Sequence, residues 1–110
     1  NQKKHEKIKT CLLYFQVKEL KLIDRCTRIE SRLATEEEIL TQHTIDKIKV
    51  LKETQNENDE TKLEQLSSKY DSVYVNNFTY ECSLLAVGST IDLVDAICKG
   101  EIQNGMAIVR

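Results

Sequence analysis

Residues 78–100 read FTYECSLLAVGSTIDLVDAICKG and residues 101–110 read EIQNGMAIVR. The spacing predicts a helix from about Phe78 to Lys99 that is apolar around most of its circumference, with Leu84, Val87, Ile91, Val94 and Cys98 in one stripe. Its polar face is narrow: Ser89, Asp92 and Lys99, with Asp95 and Lys99 placed for an i, i+4 ion pair. Gly100 fits the left-handed position that ends a helix. Asn104-Gly105 then turns the chain into Met106-Ala107-Ile108-Val109, a short apolar run of the kind found in strands buried on both faces. A helix followed by such a strand is half of a βαβ unit, so the fold expected is α/β. An apolar helix of this kind needs covering by further elements.

Upstream, the pattern becomes mostly helical. Leu13, Val17 and Leu20, widened by Phe15 and Leu22, predict a helix from about Lys7 to Asp24. Thr27 to Leu33 alternates weakly and suggests a short strand. Thr35-Glu36-Glu37-Glu38 has the form of a capping box, with three acids where the helix dipole favours negative charge. A further helix is expected over Thr44–Glu53, with Ile45, Ile48 and Leu51 on one side. Residues 55–60, QNENDE, contain no apolar side chain and read as an exposed loop. A short helix through Leu63 and Leu66 and an extended piece over residues 71–75 complete the chain.

The 110 residues fit one domain or part of a larger one, and the formal net charge of −2 gives no general affinity for nucleic acid. Residues 1–32 carry nine Lys/Arg against four acids, but the run lacks interleaved aromatics and reads as a solvated helix face complementing the acidic remainder. No stretch approaches the ~20 apolar residues of a membrane span. Cys11, Cys26, Cys82 and Cys98 show no CxxC spacing, and no apolar signal segment opens the sequence. Reduced, partly buried thiols in the cytoplasm or nucleus are expected. The Asn77-Phe78-Thr79 sequon reads as a chance match.

The chain offers little chemistry of its own. His5 sits in the lysine-rich start, and His43 has only Asp46 within helical reach, a spacing that suggests a surface ion pair. There is no metal-ligand spacing, phosphate loop or nucleophile elbow.

Three stretches do carry a family resemblance. Tyr70-Asp71-Ser72-Val73-Tyr74-Val75, Thr79 through Ser89, and Leu93 through Arg110 closely resemble class II histone deacetylases, most of all the branch of the cytoplasmic tubulin deacetylase, histone deacetylase six. Ala34 through Leu40, His43-Thr44, Glu19-Leu20 and Arg25-Cys26 extend the likeness more weakly. Residues 1–110 are accordingly identified as an N-terminal part of a deacetylase domain, best matched over 70–110 and poorly over 1–14. Lys9 stands where the family has an Arg near the active-site floor, and Lys47 where an aromatic residue is usual.

The resemblance implies a partial arginase/deacetylase-like, three-layer α/β/α domain, mostly helical in the part present. It implies a zinc-dependent hydrolase of acetyl-lysine on histone- or tubulin-like proteins, with no direct nucleic-acid or membrane partner. In the family an Arg at the place of Arg110 leads into a Pro-Pro-Gly-His-His motif, so the catalytic histidines and zinc ligands are expected outside this chain, which would bind no metal and be inactive alone. Its partner would be the rest of the deacetylase domain. Asp71 and Ser72 match the rim of the substrate tunnel, where a serine accepts a hydrogen bond from the acetyl-lysine backbone N–H. A side chain–backbone role in the turn is the other reading of this pair. The alternative for the whole chain is a degenerate, non-catalytic helical remnant that binds a partner through the exposed face around Leu84 to Cys98.

Overall fold

A computed structural model describes residues 13–70 and 73–109. Helix α1 covers residues 13–19 among these, followed by α2 (Glu36–Leu40), α3 (Ile45–Glu53), α4 (Glu60–Ser68) and α5 (Thr79–Cys98). Two 3-10 turns, Ile23–Arg25 and Thr54–Asn56, join them.

The expected extension of α1 to Asp24 does not occur. Lys21 adopts a left-handed φ of 53°. The Leu22 N–H donates to the Val17 carbonyl at 3.1 Å and the Lys21 N–H to that of Lys18 at 2.9 Å. This is a Schellman ending, which satisfies the last carbonyls and stops the helix early. Helix α5 ends the same way, as read from Gly100: its φ is 75°, the Glu101 N–H reaches the Ala96 carbonyl at 3.0 Å, and the Gly100 N–H that of Ile97 at 3.0 Å.

The capping box at α2 is complete. Thr35 Oγ1 accepts from the Glu38 N–H at 3.2 Å, and Glu38 Oε2 accepts from the Thr35 N–H at 2.8 Å. In α3, Ile48 is buried and Leu51 half-buried, while Ile45 turns outward. The loop expected over 55–60 is shortened at both ends. Residues 54–56 coil into a 3-10 turn, and Asp59 caps α4 by accepting from the Thr61 N–H at 3.0 Å. Bonding to Thr61 holds the Asp59 carboxyl below its ordinary pKa.

Helix α5 packs against α3 and the Thr54–Asn56 turn. Thr54 is buried there, its hydroxyl donating to the Leu51 carbonyl at 2.6 Å. The inward residues of α5 are Tyr80, Gly88 and Ala96, not the stripe read from the apolar spacing. Val87 and Val94 of that stripe are exposed.

Among the described residues there is no β-strand. Neither Thr27–Leu33 nor Met106–Val109 pairs with a neighbour, and Met106 is 63% exposed where burial on both faces was expected. A ladder needs a second strand to receive its N–H and C=O groups, and the described residues contain none. The buried apolar set is small: Ala34, Ile48, Leu63, Val75, Tyr80 and Ala96. The accessible surface is 9148 Å², against about 6200 Å² for a folded monomer of this length.

Candidate functional site: the Arg32 clasp, the rim segment and the apolar groove

Three features surround α5. The first is a clasp on its inner face. At Gly88 the backbone of residues 32–34 lies directly on the helix. A Cβ there would come within 2.7 Å of the Ala34 nitrogen and 2.8 Å of the Leu33 carbonyl carbon, and closer still to the Arg32 carbonyl oxygen. Glycine alone admits this approach. The Ala34 N–H then donates to the Leu84 carbonyl at 2.9 Å, using that oxygen's second lone pair.

Arg32 locks the arrangement. Its Nη1 and Nη2 donate to the two carboxylate oxygens of Glu38 at 2.9 and 2.8 Å, while its Nε donates to Asp92 Oδ1 at 2.9 Å. One guanidinium thus joins the extended segment, the capping box of α2 and the middle of α5, in the forked geometry that suits carboxylates. The paired acids raise the Arg32 pKa above its already high ordinary value. Arg32, followed by the Thr35 N–H, pulls the Glu38 carboxyl from 4.5 down to about 2. The Asp95–Lys99 pair forms as read, at 2.6 Å, and raises the Lys99 pKa.

The second feature flanks the sequence-derived substrate residues. Asp71 and Ser72 lie outside the described residues, so their roles rest on the sequence alone. Their neighbours on both sides are fixed by Ser67. The Tyr70 N–H donates to the Ser67 carbonyl at 3.1 Å. Ser67 Oγ accepts from the Val75 N–H at 3.0 Å while donating to the Leu63 carbonyl at 2.9 Å. Val75 is buried. Next along the chain, the Asn77 side-chain amide donates to the Glu57 carbonyl at 2.6 Å and that of Gln55 at 3.3 Å, and Asn76 Oδ1 accepts from the Phe78 N–H at 2.9 Å. The sequon asparagine is therefore a tie between the 55–57 backbone and the start of α5.

The third feature is an open groove of about 1840 Å³ on the outer side of α5. Tyr74, Leu85, Ala86, Leu93, Met106 and Val109 contribute to its walls. Leu93 sits so close to Gly105 that a Cβ there would strike its side chain. Cys26 and Cys82 also face the groove, and with Cys98 they are free and exposed, where partial burial was expected.

The described residues do not fit a metal: no three His, Cys, Asp or Glu side chains among them converge on a common point. His43 is exposed, and the pairing with Asp46 suggested by the sequence does not form. No described helix is long and apolar enough to cross a membrane.

Comparison with known proteins matches residues 1–110 to the histone deacetylase domain. The chain belongs to the histone deacetylase family. It is 43% identical over 89 residues to the polyamine deacetylase HDAC10 of Danio rerio, covering 81% of this chain and 13% of that protein. It is 39% identical to the human polyamine deacetylase HDAC10, with the same coverage. Against the histone deacetylase HDA1 of Saccharomyces cerevisiae it is 36% identical over 87 residues, 79% of this chain and 12% of that protein. The described part of this deacetylase domain is mostly helical, and it spans about an eighth of the length of these relatives.

Proposed function

We propose that the chain forms the substrate-rim and helix-packing part of a class II, zinc-dependent deacetylase that hydrolyses acetyl-lysine on histone- or tubulin-like proteins. One observation carries this reading. The geometry of the described residues is not a metal site but a clasped helix, α5, with an apolar groove of about 1840 Å³ beside it, in a chain whose whole length matches the deacetylase domain. The remainder of that domain is the proposed occupant of the groove. Its central sheet would supply the strands that Met106–Val109 lacks, giving the three-layer α/β/α fold. The exposed surface, about half again what a folded monomer of this size leaves open, supports that assignment.

The zinc implied by the family finds no ligand set among the described residues, so none of them is given a metal-binding or proton-transfer role. Ser72 is assigned to accept a hydrogen bond from the substrate backbone N–H, and Asp71 to the same rim. Action in the cytoplasm or nucleus is part of the same proposal.

A second reading concerns the substrate. Relatives at 43% and 39% identity are polyamine deacetylases, which favours an acetylated polyamine. The two readings differ in chemistry, because a polyamine has no peptide backbone N–H for Ser72 to accept. The full-length protein carrying this chain should be assayed with zinc on an acetyl-lysine peptide and on an acetylated polyamine. Peptide turnover that falls in Ser72→Ala supports the first reading; polyamine turnover indifferent to Ser72→Ala supports the second. Turnover of neither substrate would refute both, and turnover by the isolated 110 residues would refute the assignment of the chemistry to the rest of the domain.

A further inference from the structure

We propose that Asn104 is a site of spontaneous deamidation, at which the Gly105 backbone nitrogen converts the asparagine to aspartate and isoaspartate. The structure separates this asparagine from the others it describes. Asn56 precedes Glu57, whose N–H donates to the Thr54 carbonyl at 3.4 Å. Asn58 precedes Asp59, whose N–H donates to Glu57 Oε1 at 3.1 Å. Asn77 precedes Phe78, whose N–H donates to Asn76 Oδ1 at 2.9 Å, and its own amide is committed to the Glu57 and Gln55 carbonyls. The Phe78 bond and one from Thr79 Oγ1 at 3.1 Å also hold the Asn76 side chain. Among the described residues, neither the Asn104 amide nor the Gly105 N–H has such a partner.

Asn104 and Gly105 are both exposed and lie beyond the Gly100 ending of α5, outside any helix. An asparagine deamidates when the next backbone nitrogen can swing onto its Cγ, which a helix ladder or a fixed N–H prevents. Glycine hinders that approach least, because it has no Cβ. Position 105 also favours glycine for packing, since a Cβ there would strike the Leu93 side chain.

In the reaction the Gly105 nitrogen bonds to Asn104 Cγ, and the Cγ–Nδ2 bond breaks. The proton lost from Gly105 leaves with Nδ2 as ammonia. Water then opens the succinimide at one carbonyl to give aspartate or at the other to give isoaspartate. Either product adds one negative charge to the formal net charge of −2. Isoaspartate also inserts a methylene into the backbone between α5 and Met106–Val109, which line the groove together with Asn104.

The test follows the full-length protein, folded and at physiological temperature, by mass-spectrometric peptide mapping over days at neutral and mildly alkaline pH. Asn104→Gln and the wild type unfolded in urea are run beside it. Asn104 should convert ahead of Asn56, Asn58, Asn76 and Asn77, and faster at the higher pH, because the attacking nitrogen must lose its proton. Isoaspartyl methyltransferase should label the peptide that spans it. The more acidic species should be lost from isoelectric focusing of Asn104→Gln. Conversion at Asn104 in urea with none in the folded protein would show the site to be shielded and would overturn the proposal. Conversion at Asn76 or Asn77 matching that at Asn104 would overturn it as well.

Discussion

The two sides of α5 are built from similar material and finished differently. On the inner side, Gly88 admits a backbone segment, Leu84 accepts its N–H, and Arg32 ties two acids across it. On the outer side, Leu85, Met106 and Val109 line a groove with 42%, 63% and 46% of their surfaces exposed. The clasp joins its guanidinium to two carboxylates, whereas the groove presents apolar surface that the described residues leave open. The difference teaches that the described residues pack α5 on one side and leave its other side open; under the proposed function the rest of the domain would close that side.

That comparison is sharpest where the two sides should respond alike in the full-length protein. Ile48→Ala, in the small core, should cost about 2–5 kcal/mol by chemical denaturation. Leu85→Ala should fall in the same range if its groove is filled by the rest of the domain. A cost for Leu85→Ala below about 0.5 kcal/mol, typical of a surface position, would make the groove a true exterior.

The clasp itself can be broken at its closest approach. Gly88→Val places side-chain atoms where the backbone of residues 32–34 runs, and backbone has little room to yield. The expected loss is about 1–3 kcal/mol, read from the denaturation midpoint at unchanged slope. A neutral Gly88→Val would mean that the extended segment does not rest on α5. Thr35→Ala removes one half of the capping box and should cost about 1 kcal/mol, since the Glu38 carboxylate still reaches the residue 35 N–H.

The smallest effect expected is electrostatic. Glu38 titrates at about 2 in the clasp instead of 4.5. A depressed carboxylate contributes stability that is fully present above 4.5 and is lost as pH falls from there through about 2. The contribution is modest because the pair is partly solvent-exposed, with Arg32 and Glu38 side chains 37% and 27% accessible. An NMR titration of the Glu38 carboxyl should give a midpoint near 2, moving towards 4.5 in Arg32→Gln. A wild-type midpoint already at 4.5 would show the clasp to be open in solution.

Local chemistry was legible in the sequence. The Thr35 capping box, the Gly100 ending of α5 and the Asp95–Lys99 pair each depend on residues within one or two turns, and all three form as read. The early stop at Lys21 is not legible in the sequence, because a lysine, unlike a glycine, gives no signal of a left-handed turn. The role of Gly88 was hidden because its partner lies more than fifty residues away, as does Asp92 from Arg32; apolar spacing marks a face without saying what meets it. The same limit explains the missing strand at Met106–Val109. Its sequence specifies burial, but a strand exists only beside another. Of the candidate site, Asp71 and Ser72 came from family resemblance, while the ties at Ser67 and Asn77 became visible only in three dimensions.

The direct test of the central claim is the behaviour of the 110 residues by themselves. Sedimentation velocity and thermal unfolding of the purified chain should show an associating or expanded species that melts without a cooperative transition, in keeping with a radius of gyration of 16.4 Å against about 13 Å for a compact domain of this length. A compact monomer with one sharp, reversible transition would contradict it, because α5 would then need no partner for its outer face.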